Sequence, residues 1–273
     1  MVNFHFKNNN SSRFLRLQIP LLAVLCFLPF GAISSLQAAS ITELTSRMLR
    51  PFADAASAQP AGSNGAFHIN SQLHAINRSA IENGPILTLS YQRPDKLRAV
   101  VQWNQQTVVL CRNGNSFWAW PANTIRKYAE EAGVASMLQP QKPSSVRPLI
   151  LPIASSQIDF LTFFLQIQEA SRADIQDQNL RRAHVKLIPE FGQQVGLEDW
   201  EFDFWIQSDS AALRYIGLRG PGLNARFIIN SVRFLPALEA KTWQPSPEMQ
   251  SNILPLTQDQ LEDLLKFILS SNS

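Results

Sequence analysis

Few side chains in this sequence could do covalent or metal chemistry, and their spacing argues against it. Beyond residue 38 the histidines are His68, His74 and His184, and the cysteine is Cys111. His68 and His74 fall on the polar face of one predicted strand with no carboxylate or thiol between them, whereas a metal site needs three or four convergent donors. They read as solvated surface residues. Cys111 has Arg112 beside it but sits in the apolar run from Val108, so it reads as a packed thiol rather than a nucleophile. Asp199, Glu201 and Asp203 alternate with Trp200, Phe202 and Phe204. That row could pair carboxylates, but polar residues alternating with core aromatics on a strand face solvent. There is no Gly-x-Ser-x-Gly elbow, His-Glu-x-x-His helix, phosphate loop or dinucleotide fingerprint. The expectation is a protein that is not an enzyme and holds neither metal nor cofactor.

Export is the first thing the chain announces. Lys7, Arg13 and Arg16 precede an apolar run from Ile19 to Ile33, broken by Pro20 and Pro29, and small residues follow at Ala38-Ala39. This is the layout of a secretory signal peptide, residues 1–38, too short in its apolar part to span a bilayer. Leu25 stands before Cys26 where a lipidation site wants a small residue, so the expected product is soluble and periplasmic. The 24 lysines and arginines exceed the 21 acids by three, and Lys7, Arg13 and Arg16 account for all three. The remainder is neutral, which gives no reason to expect nucleic acid as a partner.

The elements that must position any site are mostly strands. Ser40 and Glu43 form a capping box ahead of Ile41, Leu44, Met48, Leu49 and Phe52, a first helix expected to end at Pro51. Period-two runs follow from Ala66 to Ile76, around Leu87, Leu89 and Tyr91, around Leu97, Ala99, Val101 and Trp103, at Val108 and Leu110, and from Phe117 to Trp120. The turn pairs between them, such as Pro94-Asp95, Asn104-Gln105 and Asn113-Gly114, leave no room for crossover helices, so the order is an antiparallel meander. Pro140, Pro143, Pro148 and Pro152 stiffen a hydrophobic mid-chain loop, and Ile158, Leu161, Phe164, Leu165 and Gln168 then suggest a helix. Strands resume at Val185, Trp200 and Leu213 to Ser231. Thr257 and Gln260 make a second capping box for a helix carrying Leu261, Leu264 and Ile268.

The sum is an α+β chain: an unclosed antiparallel half-barrel with an apolar concave face covered by short helices. Its large apolar residues, with 17 phenylalanines, exceed what the visible polar faces require. Either they close into a dry core, or they leave a cavity for an acyl chain under the mid-chain segment.

The run Tyr91-Gln92-Arg93-Pro94-Asp95-Lys96-Leu97-Arg98, and the hairpin from Gln106 to Trp120 turning at Asn113-Gly114, resemble the LolA-like family of periplasmic lipoprotein carriers. The resemblance extends, more weakly, over residues 39–248, leaving 249–273 as a linker and an amphipathic helix. It implies a carrier domain that takes the acyl chains of lipoproteins or other lipids, passing them from an inner-membrane donor to an outer-membrane acceptor. It implies that Arg93 bonds lid carbonyls and holds the empty state closed, although a surface arginine before a turn remains open. The lid would run from Pro148 to Ile167, with Leu149, Leu151, Phe160, Leu161, Phe164 and Leu165 lining the cavity. Leu89, Tyr91, Leu97, Val101, Trp118, Phe202 and Phe204 would line it from the sheet. The alternative on the same fold is an envelope protein-interaction or stress-sensing domain whose C-terminal helix docks a partner.

Overall fold

The computed structural model describes residues 39–59, 64–76, 79–131, 133–139, 146, 148–154, 164–171, 175, 177–195, 198–220, 223–261 and 263–264. The predicted signal peptide, and Phe160 and Leu161 of the predicted lid, lie outside these. The chain opens with helix α1 (Ile41–Ala56). The Ser40 hydroxyl caps it by accepting from the Glu43 amide at 3.1 Å. The helix does not stop at Pro51 but runs through it. Proline forfeits one backbone bond, and burial of Phe52, Ala53, Ala55 and Ala56 beyond it offsets the loss.

After α1 come β1 (Ser57–Gln59), β2 (Ala66–Ile76), β3 (Ser79–Ala80), β4 (Ile86–Gln92), β5 (Lys96–Trp103), β6 (Gln106–Asn113) and β7 (Ser116–Trp120). Helix α2 (Ala122–Glu131), β8 (Leu151–Ala154), β9 (Leu165–Ala170), β10 (Leu180–Leu187) and α3 (Pro189–Val195) follow. The chain then forms β11 (Glu201–Gln207), β12 (Leu213–Gly220), β13 (Leu223–Leu235) and β14 (Leu254–Leu256). Twelve strands form one sheet in the order β14-β7-β6-β5-β4-β2-β13-β12-β11-β10-β9, with β3 beside β2. Every pairing in it is antiparallel, and β14 and β9 are left as unjoined edges. The meander is the predicted one. Asn104 and Gln105, at φ 47° and 65°, and Gly114, at φ 64°, make the tight turns that close its hairpins. Register shifts at Arg226/Phe227 and Ile229/Ser231 mark bulges in the long central pair β2–β13, the kind of irregularity that bends a sheet.

Alternation sorts the strands into two faces. Phe67, Leu89, Tyr91, Ala99, Leu110, Phe117, Phe202, Phe204 and Ile206 point to one side and share a buried cluster with Leu44, Met48, Leu49 and Phe52 of α1. The helix therefore lies along the apolar face of the half-barrel, as a cover. Val109, Cys111 and Trp118 point to the other side and pack with Trp243, held in a short 3-10 turn (Ala240–Trp243). Among the described residues no helix is long and apolar enough to cross a membrane.

One expectation is overturned. Residues 165–170 form edge strand β9 rather than the end of a helix, because Leu165 and Ile167 reach the core while Gln166 and Gln168 do not, and β10 supplies a full ladder of partners. A helical stripe and a strand alternation are both present in this greasy stretch, and pairing decides between them. The segment after 248, expected as a linker and an amphipathic helix, packs onto the body over its described part. It adds β14 to the sheet edge beside β7 and buries Leu261 and Leu264 in the main cluster. The second capping box forms in both directions, with Thr257 N donating to Gln260 Oε1 at 2.8 Å and Gln260 N to Thr257 Oγ1 at 3.3 Å.

Phe52 meets Phe67 and Phe234 edge-on at ring-centroid distances of 5.3 and 4.7 Å. Phe52→Ala should lower the unfolding free energy by about 3–5 kcal/mol in urea titration. A loss under about 1 kcal/mol would show that the helix cover contributes little to the fold.

Candidate functional site

The concave face and its cover form the site, and the cover is tied down at few points. At the start of α1, Arg181 of β10 is fixed by Glu169 of β9 through bonds of 2.8 and 2.7 Å and donates to the Ala39 carbonyl. At the other end, β1 continues the chain from α1 and pairs in parallel with β8, the described part of the mid-chain segment. Just before β8, Leu149 drops into the core at 6% exposure. Its carbonyl accepts from the Tyr91 hydroxyl at 2.6 Å, and its amide donates to the Pro94 carbonyl at 2.7 Å. Tyr91 is itself fully buried and stacked on Phe67, with ring centroids 5.0 Å apart. Residues 148–154 thus form a strap across the rim, latched by the β4–β5 turn.

Over the described part of the lid, the bonds expected of Arg93 are made by other groups. The latch is made by its neighbours Tyr91 and Pro94, while Arg93 Nη1 is buried with no hydrogen-bond partner among the described residues. The tyrosine hydroxyl reaches the strap because position 91 points into the cluster at full depth.

The sheet candidates divide. Leu89, Tyr91, Phe202 and Phe204 are buried in the concave cluster, and Leu97 packs against it half-buried. Val101 is half-buried at the far end of β5, outside the cluster. Trp118 lies apart from them: Phe117 and Ala119 take the concave positions of β7, so alternation turns Trp118 to the opposite face against Cys111 and Trp243. Of the lid candidates, Leu149 is in the core, Leu165 packs against it, and Phe164 is 36% exposed. Leu151 lies in β8.

The convex face holds what the sequence concealed. Asp203, read as solvated, has a side chain only 6% exposed. Arg182 grips it with two bonds of 3.1 and 2.9 Å, Arg219 donates at 2.7 Å, and His184 Nδ1 lies at 3.0 Å. Burial raises the Asp203 carboxyl, and the hydrogen bond and charge of Arg182, with His184 and Arg219, outweigh it, so the net shift is downward. Glu201 beside it bonds Arg219 at 3.1 Å and pairs with Lys186. Gly217 makes the packing possible, since a Cβ there would stand 3.1 Å from that of Asp203 and 3.2 Å from the Trp205 ring. Arg182 and Arg226 lie over the faces of that indole at 4.9 and 5.9 Å. The cluster is a clasp joining β10, β11 and β12.

Cys111 is fully buried and donates to the Trp243 carbonyl at 3.8 Å. Burial pushes its thiol up to about 12, which keeps it protonated and inert. His68 shares a 2.9 Å bond with the Ser90 hydroxyl, and burial, then the charge of Arg233, lowers its pKa. A pocket of about 260 Å³ lies beside the second cluster, with Trp118, Trp243, Pro245, Ile253 and Pro255 in its walls.

The fold and site define an unclosed antiparallel half-barrel with a helix-and-strap cover. No family model and no curated protein matches the chain. Solved structures similar to it include a LolA superfamily protein from Nitrosomonas europaea, 10% identical over 74% of this chain and 97% of that one, at a TM-score of 0.30. Another is MucB of Pseudomonas aeruginosa in complex with MucA, 10% identical over 69% of this chain and 58% of that one, at 0.33. A third is a domain assigned to outer-membrane lipoprotein sorting in Vibrio parahaemolyticus, 7% identical over 67% and 91%, at 0.28. The superfamily named by the sequence resemblance is therefore among the similar structures. At TM-scores this low the likenesses carry no argument, and function has to be read from this chain's own residues.

Two outcomes can be expected of the site. Tyr91→Phe removes the hydroxyl that holds the Leu149 carbonyl and should cost about 1 kcal/mol. Hydrogen exchange over 148–154 should rise several-fold while β6 and β7 stay protected; unchanged exchange would mean that the strap is held elsewhere. The Asp203 carboxyl titrates below its unfolded value, so its contribution is complete above about pH 4 and is lost as pH falls through the lower folded value. Unfolding of the wild type should show this acid loss, and Asp203→Asn should flatten it while lowering stability at neutral pH.

Proposed function

We propose that the protein is an exported, non-enzymatic carrier that binds the acyl chains of lipids or lipoproteins on its concave face and shields them from water in the periplasm. Passage between an inner-membrane donor and an outer-membrane acceptor is part of the same reading, as is release of the soluble form by loss of residues 1–38. The observation that carries it is the cover. An apolar face spanning the whole sheet is closed by α1 and by a strap that the Tyr91 hydroxyl and the Pro94 carbonyl hold at Leu149.

Such a cover can be exchanged. An acyl chain entering beneath it replaces the contacts of Leu149, Met48 and Phe52 with its own, at roughly 0.8 kcal/mol per methylene buried. Among the described residues, opening the strap breaks its two hydrogen bonds and the short β1–β8 pairing. The rival reading, a docking domain, needs its C-terminal helix free. Burial of Gln258, Gln260, Leu261 and Leu264 against the body of the protein favours the carrier.

Mass spectrometry of the protein isolated under native conditions should find stoichiometric lipid. A fluorescent acyl probe should bind the delipidated protein saturably, with faster association in Tyr91→Phe. Absence of both lipid and probe binding would sink the reading.

A further inference from the structure

We propose that the ligand is an anionic amphiphile and that Arg93 receives its head group, a carboxylate or a phosphate, while its chain lies under the strap. The inference rests on the acyl-binding reading and adds the chemistry of the ligand's polar end. Phe234, Phe67 and Tyr91 are neighbours across β13, β2 and β4, packed ring to ring on the concave side. Two residues further, past the Ala66–Gln92 pair and at the rim, the same strands bring Gly65 and Arg93 together, with Gly65 N bonded to Leu235 O at 3.1 Å and Arg93 N to Gly65 O at 3.0 Å.

The guanidinium occupies the space that a side chain on Gly65 would need. A Cβ there would stand 3.0 Å from Arg93 Nε, 3.2 Å from Nη2 and 3.1 Å from the Pro236 carbonyl oxygen. Arg93 Nη1 is buried without a partner among the described residues. A donor on a permanent cation, withdrawn from water and left unpaired, is costly to the empty protein. The latch role that would explain it is already filled by Tyr91 and Pro94. What the fork of an arginine matches is a planar or tetrahedral oxyanion. Its position fits an amphiphile: the Phe67–Tyr91 pair stands two residues further in along the same strands, the strap is bonded at the adjacent Pro94, and Arg93 is half-exposed.

The test compares cis-parinaric acid with its methyl ester by fluorescence titration. Wild type should bind the acid about tenfold more tightly, the effect expected of a charge-assisted hydrogen bond. Arg93→Gln should abolish that preference by weakening the acid far more than the ester, Arg93→Lys should keep part of it, and Gly65→Ala should weaken it by displacing the guanidinium. Dodecanoate and dodecyl phosphate as competitors decide between the two head groups. The ligand-free Arg93→Gln protein should unfold at the wild-type denaturant midpoint or above it. A lower midpoint, or an acid preference that survives in Arg93→Gln, overturns the inference. Equal binding of acid and ester by wild type overturns it too and leaves the acyl reading standing, whereas binding of neither removes both.

Discussion

Everything in this molecule depends on how one apolar sheet face is kept from water. The sheet does not close, since β14 and β9 are unjoined edges, so the concave side cannot seal itself as a barrel would. Helix α1 supplies the seal with Leu44, Met48, Leu49 and Phe52, and the strap at Leu149 and the C-terminal Leu261 and Leu264 complete it. These pieces reach the face from three distant parts of the sequence. Among the described residues of these pieces only β14 joins the backbone ladder of the sheet, and side-chain ties such as Tyr91 to Leu149 and Arg181 to Ala39 add to the packing that holds the rest. A sheet held by continuous ladders under a cover held by contacts can open on one side without unfolding.

The sequence made some of this legible and hid the rest for physical reasons. Hairpins announced themselves through local backbone demands: Asn104, Gln105 and Gly114 adopt positive φ, and their turns fix the register of β5, β6 and β7. The box at Thr257 and Gln260 is equally local. The choice between helix and strand near Leu165 is not local, because it depends on β10 being there to pair with. The face that Trp118 takes was hidden because Phe117, Trp118 and Trp120 are all large and apolar, and hydrophobicity alone does not say which of two buried faces a ring takes. The Asp203 clasp was concealed in the same way. Arg182, His184 and Lys186 share one face of β10 and Glu201 and Asp203 one face of β11, but only the register that sets His184 opposite Asp203 turns two solvated rows into an ion network.

Arg93 was found by its resemblance to a motif and explained differently by its surroundings. Position 93 lies at the rim, as expected, yet the bonds that hold the strap come from a side chain two residues earlier and a carbonyl one residue later. A hydroxyl buried under stacked rings and a backbone oxygen in a turn make a latch with no net charge. Such a latch can open and close without moving an ion out of water.

Two charged side chains, one buried and one half-buried, show how differently this fold treats ions. Asp203 on the convex face is met by Arg182, Arg219 and His184, so its desolvation is offset by partners and the strands beneath it are clasped. Arg93 on the concave rim has a buried donor and no such company among the described residues. If both residues served only to hold the fold, the second would be a defect, because an apolar side chain beside Phe67 and Tyr91 would stabilise the empty protein more. The asymmetry is resolved when the missing acceptor is something that arrives with the ligand, so that occupancy of the concave face and satisfaction of Arg93 become one event.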